Sequence, residues 1–235
     1  TLLSTLSGFA QSAFKFSTDI RLLQSMKEVE EPCEKAQVGS SAMAYKRNPM
    51  RSERISSLAR YVMSLPINAA ITSGTQWFER TLDDSANKRI VIPEAFLAVD
   101  AILELYLNIA DNMVVYKKVI QKHIMEELPF MATEVILMEA VKAGGDRQIL
   151  HEKIRAHSMA AARLVKEEGK SNDLLIRLKN DKDFEVIANN IDAILAPESF
   201  IGAAALQVED YINGTVKDYL TEYSQFIGAK GIVNV

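Results

Sequence analysis

The segment LLSTLSGFAQSAFKFSTDIRLL, residues 2–23, indicates the fold class of this chain. Its apolar side chains recur in alternating steps of four and three residues, which is the repeat of helices that pack along a shared seam. The seam residues are Leu2, Leu6, Phe9, Ala13, Phe16, Ile20 and Leu23. Because the repeat continues through the whole segment, it predicts a long helix in an all-α bundle.

A second seam with the same spacing lies further along the chain. Pro93 suits the first turn of a helix, where no N–H donor is needed, so the polar residues 83–92 are predicted to form a connector before it. Two seams of this length predict a bundle of long helices. The members of the second seam are Ile92, Phe96, Val99, Leu103, Tyr106, Ala110 and Met113.

Caps and helix breakers divide the rest of the chain, and after about residue 115 the long seams give way to shorter helices. We therefore predict a helical-bundle portion over 1–115 and a compact helical domain over 116–235. Helix starts are predicted at Asn48-Pro49, Pro129 and Asp146, and helix ends at Pro66, Gly144-Gly145 and Gly169.

The composition excludes several classes of protein. The net charge of -4 offers no general attraction to nucleic acid or to anionic membranes. No apolar run approaches the roughly 20 residues of a membrane-spanning helix, and the first residues lack the pattern of a signal peptide. With a single cysteine, Cys33, the chain cannot form an intrachain disulfide, and we expect a cytoplasmic setting. No Cys or His spacing indicates a metal site, and no cofactor is expected.

The stretch GSSAMAYKRNPMRSER, residues 39–54, combines small residues with cations. Gly39, Ser40 and Ser41 offer backbone N–H groups that can hold a carboxylate or phosphate. Lys46 adds positive charge, and Asn48 adds an amide where a helix N-terminus favours an anion. The alternative is a solvated polar loop that ends in a helix cap.

A second cluster lies in QWFERTLDDSANKR, residues 76–89. Arg80, Ser85 and Arg89 are suited to surround one phosphate, because each guanidinium presents a planar fork of donors. The alternative is a set of surface ion pairs with the nearby carboxylates. The histidines, His123, His151 and His157, have neither the spacing of metal ligands nor a nucleophile beside them.

The first stretch resembles a known family. GSSAMAYKRNP is similar to the signature loop of the fumarase/aspartase superfamily, whose usual form is GSSxMPxKxNP. The MRSER that follows, together with QWFERTLDDSANKR, resembles the adenylosuccinate lyase family within that superfamily. Similarity of pattern extends through the whole chain, including LPFMATE and VKAGG.

The resemblance implies a β-elimination that releases fumarate, in purine biosynthesis. The substrates of this family are adenylosuccinate, which gives AMP, and the succinyl-carboxamide intermediate SAICAR, which gives AICAR. By match to the family, Ser40 is the general base, and Lys46 stabilises the charge that develops. Arg54 contacts substrate, and the cluster at 76–89 holds the nucleotide phosphate. The full set of implied substrate-binding residues is Ser41, Asn48, Arg54, Arg80, Ser85 and Arg89.

Two departures from the family pattern stand out. Ala44 replaces the usual proline, which is expected to leave the unliganded loop less restricted. The family's catalytic histidines, including the acid that protonates the leaving amine, belong to an upstream half, and none of the three histidines here matches them. We therefore expect this chain to be the C-terminal half of a longer polypeptide and to be catalytically incomplete alone.

The resemblance also implies a homotetramer with active sites assembled from several subunits. Residues 1–115, with the signature loop at 39–49, would be the latter part of its central bundle, and 116–235 the C-terminal helical domain. Two alternatives stay open. One is another lyase of the superfamily, such as an argininosuccinate lyase, and the other is a non-catalytic helical scaffold of the crystallin kind.

Overall fold

The computed structural model describes residues 1–32, 45–79 and 81–228. The chain divides into two compact units, whose main parts are Thr1–Lys117 and Lys118–Ile227. Both are built almost entirely from helices, which confirms the predicted all-α class. The assignment of these parts to a central and a C-terminal domain stays a prediction.

In the described part of the first unit, four helices accompany one pair of very short strands. The strands pair antiparallel, with Val29 opposite Val115 and Glu30 opposite Val114. Strands of two residues leave no alternating pattern, which is why the sequence did not predict them. The elements are α1 (Leu2–Ser25), β1 (Val29–Glu30), α2 (Met50–Ser64), α3 (Pro66–Gly74), α4 (Asp84–Asn112) and β2 (Val114–Val115).

Small side chains bring α1 and α2 close together in the core of this unit. Ser17 and Ser56 share a hydrogen bond of 2.9 Å between their buried hydroxyls, and Ala10, Ala13 and Ala59 are fully buried. Such residues let two helix backbones approach without voids. Branched side chains of α4 complete this core, namely Val99, Ile102, Leu105 and Ile109.

The predicted seam of α1 is displaced from the buried face. Phe9 and Phe16 are only half-buried, and Leu2 is 47% exposed. Because α2 packs against the small residues of α1, the bulky apolar side of α1 stays partly open. The buried line is Leu3, Ser7, Ala10, Ala13, Ser17 and Ile20.

Helix α4 shows the same displacement. Its buried face begins one residue earlier than the predicted seam, while the seam members Phe96 and Leu103 are 50% and 41% exposed. Phe16 stacks on Tyr106 at 4.0 Å between ring centroids, which joins the two half-buried faces. The buried line of α4 is Val91, Ala95, Ala98, Val99, Ile102, Leu105 and Ile109.

The predicted connector over residues 83–92 is wrong, because α4 already begins at Asp84. Its first turns face solvent and need no apolar residues, so their polar composition resembled a loop. Pro93 consequently lies inside the helix, where it has no N–H to donate to the carbonyl of Arg89. The predicted break at Pro66 is confirmed, since α2 ends at Ser64 and α3 begins at that proline.

Helices of varied length enclose the core of the second unit. Leu128, Ile136, Leu150, Leu174 and Phe184 are among its buried side chains. The α-helices are α5 (Lys117–Met131), α6 (Thr133–Lys142), α7 (Arg147–Glu168), α8 (Leu174–Lys179), α9 (Ile191–Ile194), α10 (Ala204–Tyr211) and α11 (Lys217–Glu222). Shorter 3-10 helices span Lys182–Ile187, Pro197–Phe200 and Ser224–Phe226, and Ile212–Val216 is a π-helical turn.

Most of the predicted helix ends in this unit are confirmed. The carboxylate of Asp146 accepts hydrogen bonds from the backbone N–H groups of Gln148 and Ile149, and so caps α7. Gly169 ends the same helix at φ 64°, a conformation that glycine adopts without strain. The prediction for Pro129 is wrong, because this residue lies inside α5. None of the described helices has both the length and the apolar composition needed to cross a membrane.

Candidate active site

A cavity of about 560 Å³ lies between the last turns of α1 and the residues that lead into α2. Lys46 and Asn48, both predicted as site residues, lie on its wall. Three cations, Arg21, Lys46 and Arg47, therefore share the wall with the carboxylate of Glu53. This arrangement favours an anionic ligand that also carries hydrogen-bond donors. The lining residues are Thr18, Arg21, Leu22, Gln24, Ser25, Lys46, Arg47, Asn48, Pro49 and Glu53.

The start of α2 differs from the prediction that Asn48 caps it. Helix α2 begins at Met50, and its N-cap position is held by Pro49, which has no side-chain acceptor. The carboxylate of Glu31 fills that role from a distant part of the sequence. It accepts hydrogen bonds from the backbone N–H groups of Arg51 at 3.0 Å and Ser52 at 2.6 Å.

A second predicted cluster is partly formed at the start of α4. Arg89 donates a hydrogen bond from Nη1 to the backbone carbonyl of Ser85 at 2.6 Å, and also contacts the hydroxyl of Ser85. The helix dipole favours an anion at this end. The arrangement places a guanidinium and a hydroxyl one turn apart, which is a suitable pair of donors for a phosphate.

The turn between α3 and α4 is ordered by Asp83. Its carboxylate accepts hydrogen bonds from the side chains of Thr75 at 3.3 Å and Gln76 at 3.4 Å, and contacts the hydroxyl of Thr81. Gln76 Oε1 in turn accepts from the backbone N–H of Thr81 at 2.8 Å. The hydrogen bond from Thr81, supported by that from Thr75, lowers the pKa of Asp83 although partial desolvation opposes the shift. These bonds link Thr75 and Gln76, at the end of α3, to Thr81 and Asp83, just before α4.

Of the remaining predicted site residues, the structure describes Arg54 alone. Arg54 is exposed on α2 and does not line the 560 Å³ cavity. Ser40, Ser41 and Arg80 lie outside the described residues, as does Ala44. Their roles therefore stay predictions.

The sequence did not single out four residues that the structure places at the site. Arg21 and Glu53 line the cavity, and Glu31 and Arg51 are buried at the start of α2. A buried carboxylate gives no local signal when its partners lie some 20 residues away in sequence. Arg21 directly follows the seam member Ile20, and this position alone hinted in the sequence at where its side chain lies.

A second cavity, of about 520 Å³, lies beside the starts of α1 and α4. Its walls include Pro66, Gln76, Asp84 and Lys88, but neither Ser85 nor Arg89. Six of its fourteen described lining residues are apolar and eight are polar or charged, and Lys88 is paired with Asp84 at 3.1 Å. This cavity therefore does not bring predicted site residues together.

All three histidines belong to the second unit. His157 contacts the carboxylate of Asp181 at 2.8 Å, and Lys153 donates to the same carboxylate at 2.9 Å. Burial would raise the pKa of Asp181, but the hydrogen bonds from His157, the backbone N–H of Asp183 and Lys153 outweigh it and lower the pKa to about 2. This cluster ties α7 to the chain that follows α8. Within the described ranges, His, Cys, Asp and Glu form no group of three or more suited to a metal ion.

Comparison with known proteins places this chain in a family. Residues 129–211 match the profile described as adenylosuccinate lyase C-terminus, and residues 1–64 match the profile described as lyase. The chain is 53% identical over 226 residues to the adenylosuccinate lyase of Schizosaccharomyces pombe and 52% identical to that of Saccharomyces cerevisiae. Each alignment covers 96% of this chain and 47% of the relative.

Solved structures support the same fold. A 3-carboxy-cis,cis-muconate lactonizing enzyme from Pseudomonas putida superimposes with a TM-score of 0.76 at 23% identity. The superposition covers 90% of this chain and 46% of that protein. The profiles, the identities and the shared fold agree: the chain belongs to the adenylosuccinate lyase family, and it spans about half the length of the curated relatives it matches.

Proposed function

We propose that the complete protein is an adenylosuccinate lyase that releases fumarate from adenylosuccinate and from SAICAR, and so acts in purine biosynthesis. The observation that carries the proposal is the 53% identity, over nearly the whole chain, to a relative with that name. The cavity that holds Lys46 and Asn48 supports it, because both residue types suit a substrate rich in carboxylates.

The proposed reaction breaks a C–H bond and the adjacent C–N bond of the succinyl group and forms the double bond of fumarate. Ser40 removes the proton from the carbon next to the one that carries nitrogen. The electron pair first passes to the neighbouring carboxyl group, where it makes a dianionic intermediate. Lys46 and the amide of Asn48 stabilise that charge as it develops, which accelerates the step more than uniform substrate binding would.

The nitrogen then leaves as the amine of AMP and takes a proton from a general acid. We assign that acid to the part of the complete protein outside this chain, as the family resemblance implies. In the proposed complete site, Glu53 and Arg21 supply further polar groups beside Lys46. Arg54 and Ser41 are proposed to contact the substrate, in keeping with the family pattern.

The phosphate of the nucleotide is proposed to bind at the start of α4. Ser85 and Arg89 already lie in contact there, and the ordered turn around Asp83 leads into them. Arg80 belongs to the same proposed set, because it matches the family pattern together with Ser85 and Arg89. A phosphate anchored by two guanidinium groups fixes the nucleotide while the succinyl end reacts.

We further propose a cytoplasmic homotetramer with shared active sites. The half-open apolar faces of α1 and α4 support this assembly, since Phe96 and Leu103 are 50% and 41% exposed. Faces of this kind on long helices are expected to pack against further helices. A site that needs groups from outside this chain agrees with sharing between subunits.

Fumarate release by the complete polypeptide tests the function. Adenylosuccinate and SAICAR should both be cleaved, whereas argininosuccinate should not, and selective cleavage of argininosuccinate would favour the other lyase. Lys46→Gln should lower kcat strongly, and the matched control Lys118→Gln, at an exposed position of α5, should not. Failure to cleave any of these substrates by a folded complete protein would favour the scaffold alternative.

The 235-residue chain should release no fumarate alone but should do so after refolding with the other half of the protein. Activity in the chain alone would contradict the assignment of the general acid to the other half.

A further inference from the structure

Two charged side chains are buried among the residues that the structure describes, and both lie at the start of α2. Glu31 is 5% exposed and Arg51 is 1% exposed. A buried charge is costly unless it is well hydrogen-bonded, so its presence indicates a specific role for its partners. In sequence, Glu31 precedes and Arg51 follows the stretch that contains Lys46 and Asn48.

Glu31 accepts hydrogen bonds from backbone N–H groups at the start of α2 that have no acceptor within the helix. The first N–H groups of an α-helix point out of its end, and a side chain at the N-cap usually accepts one of them. Here the two oxygens of Glu31 accept from Arg51 and Ser52. The carboxylate also lies at the positive end of the helix dipole, which favours its charge.

Gln24, on α1, is hydrogen-bonded both to the chain that follows β1 and to the chain that leads into α2. Its Nε2 donates to the backbone carbonyl of Arg47 at 3.1 Å, while its Oε1 accepts from the backbone N–H of Glu31 at 3.3 Å. The guanidinium of Arg51 adds a bond from Nη1 to the carbonyl of Pro32 at 2.6 Å. We call Gln24, Glu31 and Arg51 the base cluster.

We propose that Glu31 is a positioning residue for Lys46 and Asn48. It fixes the first turn of α2, and the backbone carbonyl of Asn48 is itself bonded to the N–H of Met50 at 2.8 Å. Through Gln24, the same cluster sets the distance between residue 47 and α1, which forms the opposite wall of the cavity. The catalytic part of this inference rests on the proposed lyase function.

Steady-state kinetics of the complete protein test the proposal. Glu31→Gln keeps one carbonyl acceptor and Glu31→Ala keeps none, so Glu31→Ala should lose more activity than Glu31→Gln. For Glu31→Ala we expect kcat to fall by about 100-fold, the effect of a misplacement on the order of 1 Å, and for Glu31→Gln by about 10-fold. The KM should change much less, because the phosphate contacts at Ser85 and Arg89 are untouched. Glu185→Gln, at an exposed position of the second unit, is the matched control.

Hydrogen exchange at single amides separates positioning from general destabilisation. The N–H groups of Met50, Arg51 and Ser52 should exchange faster in both Glu31 variants, while the amides of Ile102 and Leu105 in α4 keep their protection. Unchanged exchange at Met50, whose N–H is bonded to the carbonyl of Asn48, would overturn the proposal. A kcat within about twofold of the wild type in Glu31→Ala would overturn it as well.

The exchange experiment also distinguishes this proposal from the proposed function. If the wild-type protein releases no fumarate, the lyase assignment fails, but faster exchange at Met50 in the Glu31 variants still supports the role of Glu31. If Glu31→Ala does not fold, Gln24→Met tests the base cluster from α1 with the same two readouts. Normal kcat and normal exchange in that variant would contradict the proposal.

Discussion

Arg89 donates a hydrogen bond to the carbonyl of Ser85 at 2.6 Å, so two of the three residues predicted to bind phosphate share one face of the first turns of α4. The phosphate end of the proposed site is therefore built on a helix, whereas Lys46 and Asn48 lie in the chain before α2. Substitutions at the two ends should have different kinetic effects.

Arg89→Met in the complete protein should mainly weaken nucleotide binding. The loss of a charge-assisted hydrogen bond costs about 2 kcal/mol, which corresponds to a roughly 30-fold rise in the KM for adenylosuccinate and in the Kd for AMP. Arg60→Met, at an exposed position on α2, is the control. Unchanged KM and kcat in Arg89→Met would count against the phosphate assignment.

Ser40→Ala should abolish turnover with little loss of substrate affinity. A general base contributes about 100- to 10,000-fold to the rate, while its hydroxyl adds little to ground-state binding. Fumarate release and equilibrium binding of adenylosuccinate measure the two quantities separately. Turnover close to that of the wild type would rule out this role for Ser40.

Asp181→Asn should destabilise the protein near neutral pH and much less in acid. The folded-state pKa of Asp181 is about 2, below its ordinary value of 3.8, so its contribution is complete above pH 3.8 and is lost as the pH falls toward 2. Loss of its hydrogen bonds to charged partners should cost about 1.5–3 kcal/mol at pH 7.

Thermal unfolding across this pH range provides the measurement. The Tm of Asp181→Asn should converge on that of the wild type as the pH falls to about 2. Asp210→Asn, at an exposed position of α10, should follow the wild type throughout. A constant difference in Tm at all pH values would exclude the titration of Asp181 as the cause.

Ala59→Leu should destabilise the first unit. Ala59 is fully buried in the core that α1, α2 and α4 form, where there is little free space for a larger side chain. Overpacking of this kind costs about 1–3 kcal/mol. Denaturant unfolding should detect the loss, and Ser57→Leu on the exposed side of α2 should change the free energy of unfolding by about 0.5 kcal/mol or less.

Leu103→Lys should weaken the proposed tetramer and, with it, the activity of the complete protein. Leu103 is 41% exposed on the half-open face of α4, so a lysine is tolerated in the separate subunit but places a charge in an apolar subunit contact. Light scattering after size-exclusion chromatography reports the mass. If Leu103→Lys formed a tetramer of normal stability and activity, this face of α4 would not be part of the subunit interface.

The sequence predicted helices more successfully than their buried faces. The repeat of apolar residues in residues 2–23 identified α1, but the face that α2 covers carries serine and alanine, which a hydrophobic pattern does not distinguish from a polar side. The start of α4 was missed for a related reason, since its solvent-exposed turns contain Asp84 and Lys88 rather than apolar residues. The apolar repeat shows where large apolar side chains lie along a helix, but it does not show which neighbouring helix covers them.

The sequence predicted those parts of the candidate site whose residues lie near one another in the chain. Ser85 and Arg89 are one helical turn apart, so spacing alone brought them together. Glu31 binds N–H groups some 20 residues away, and Arg21, on α1, lines the same cavity as Lys46, which precedes α2. Contacts of this kind form only in the folded chain, so no local sequence pattern indicated them.

The pairing of β1 with β2 has a consequence for the order of folding. Val29 lies opposite Val115, and the hydroxyl of Tyr116 donates to Glu30 at 2.8 Å, so residues 86 positions apart must meet. Closing so long a loop is entropically costly and slow compared with helix formation. We expect the segment before α2 to acquire its final geometry late, only after α4 has docked. A nascent chain that has not yet emerged beyond residue 116 would then contain helices but no competent site.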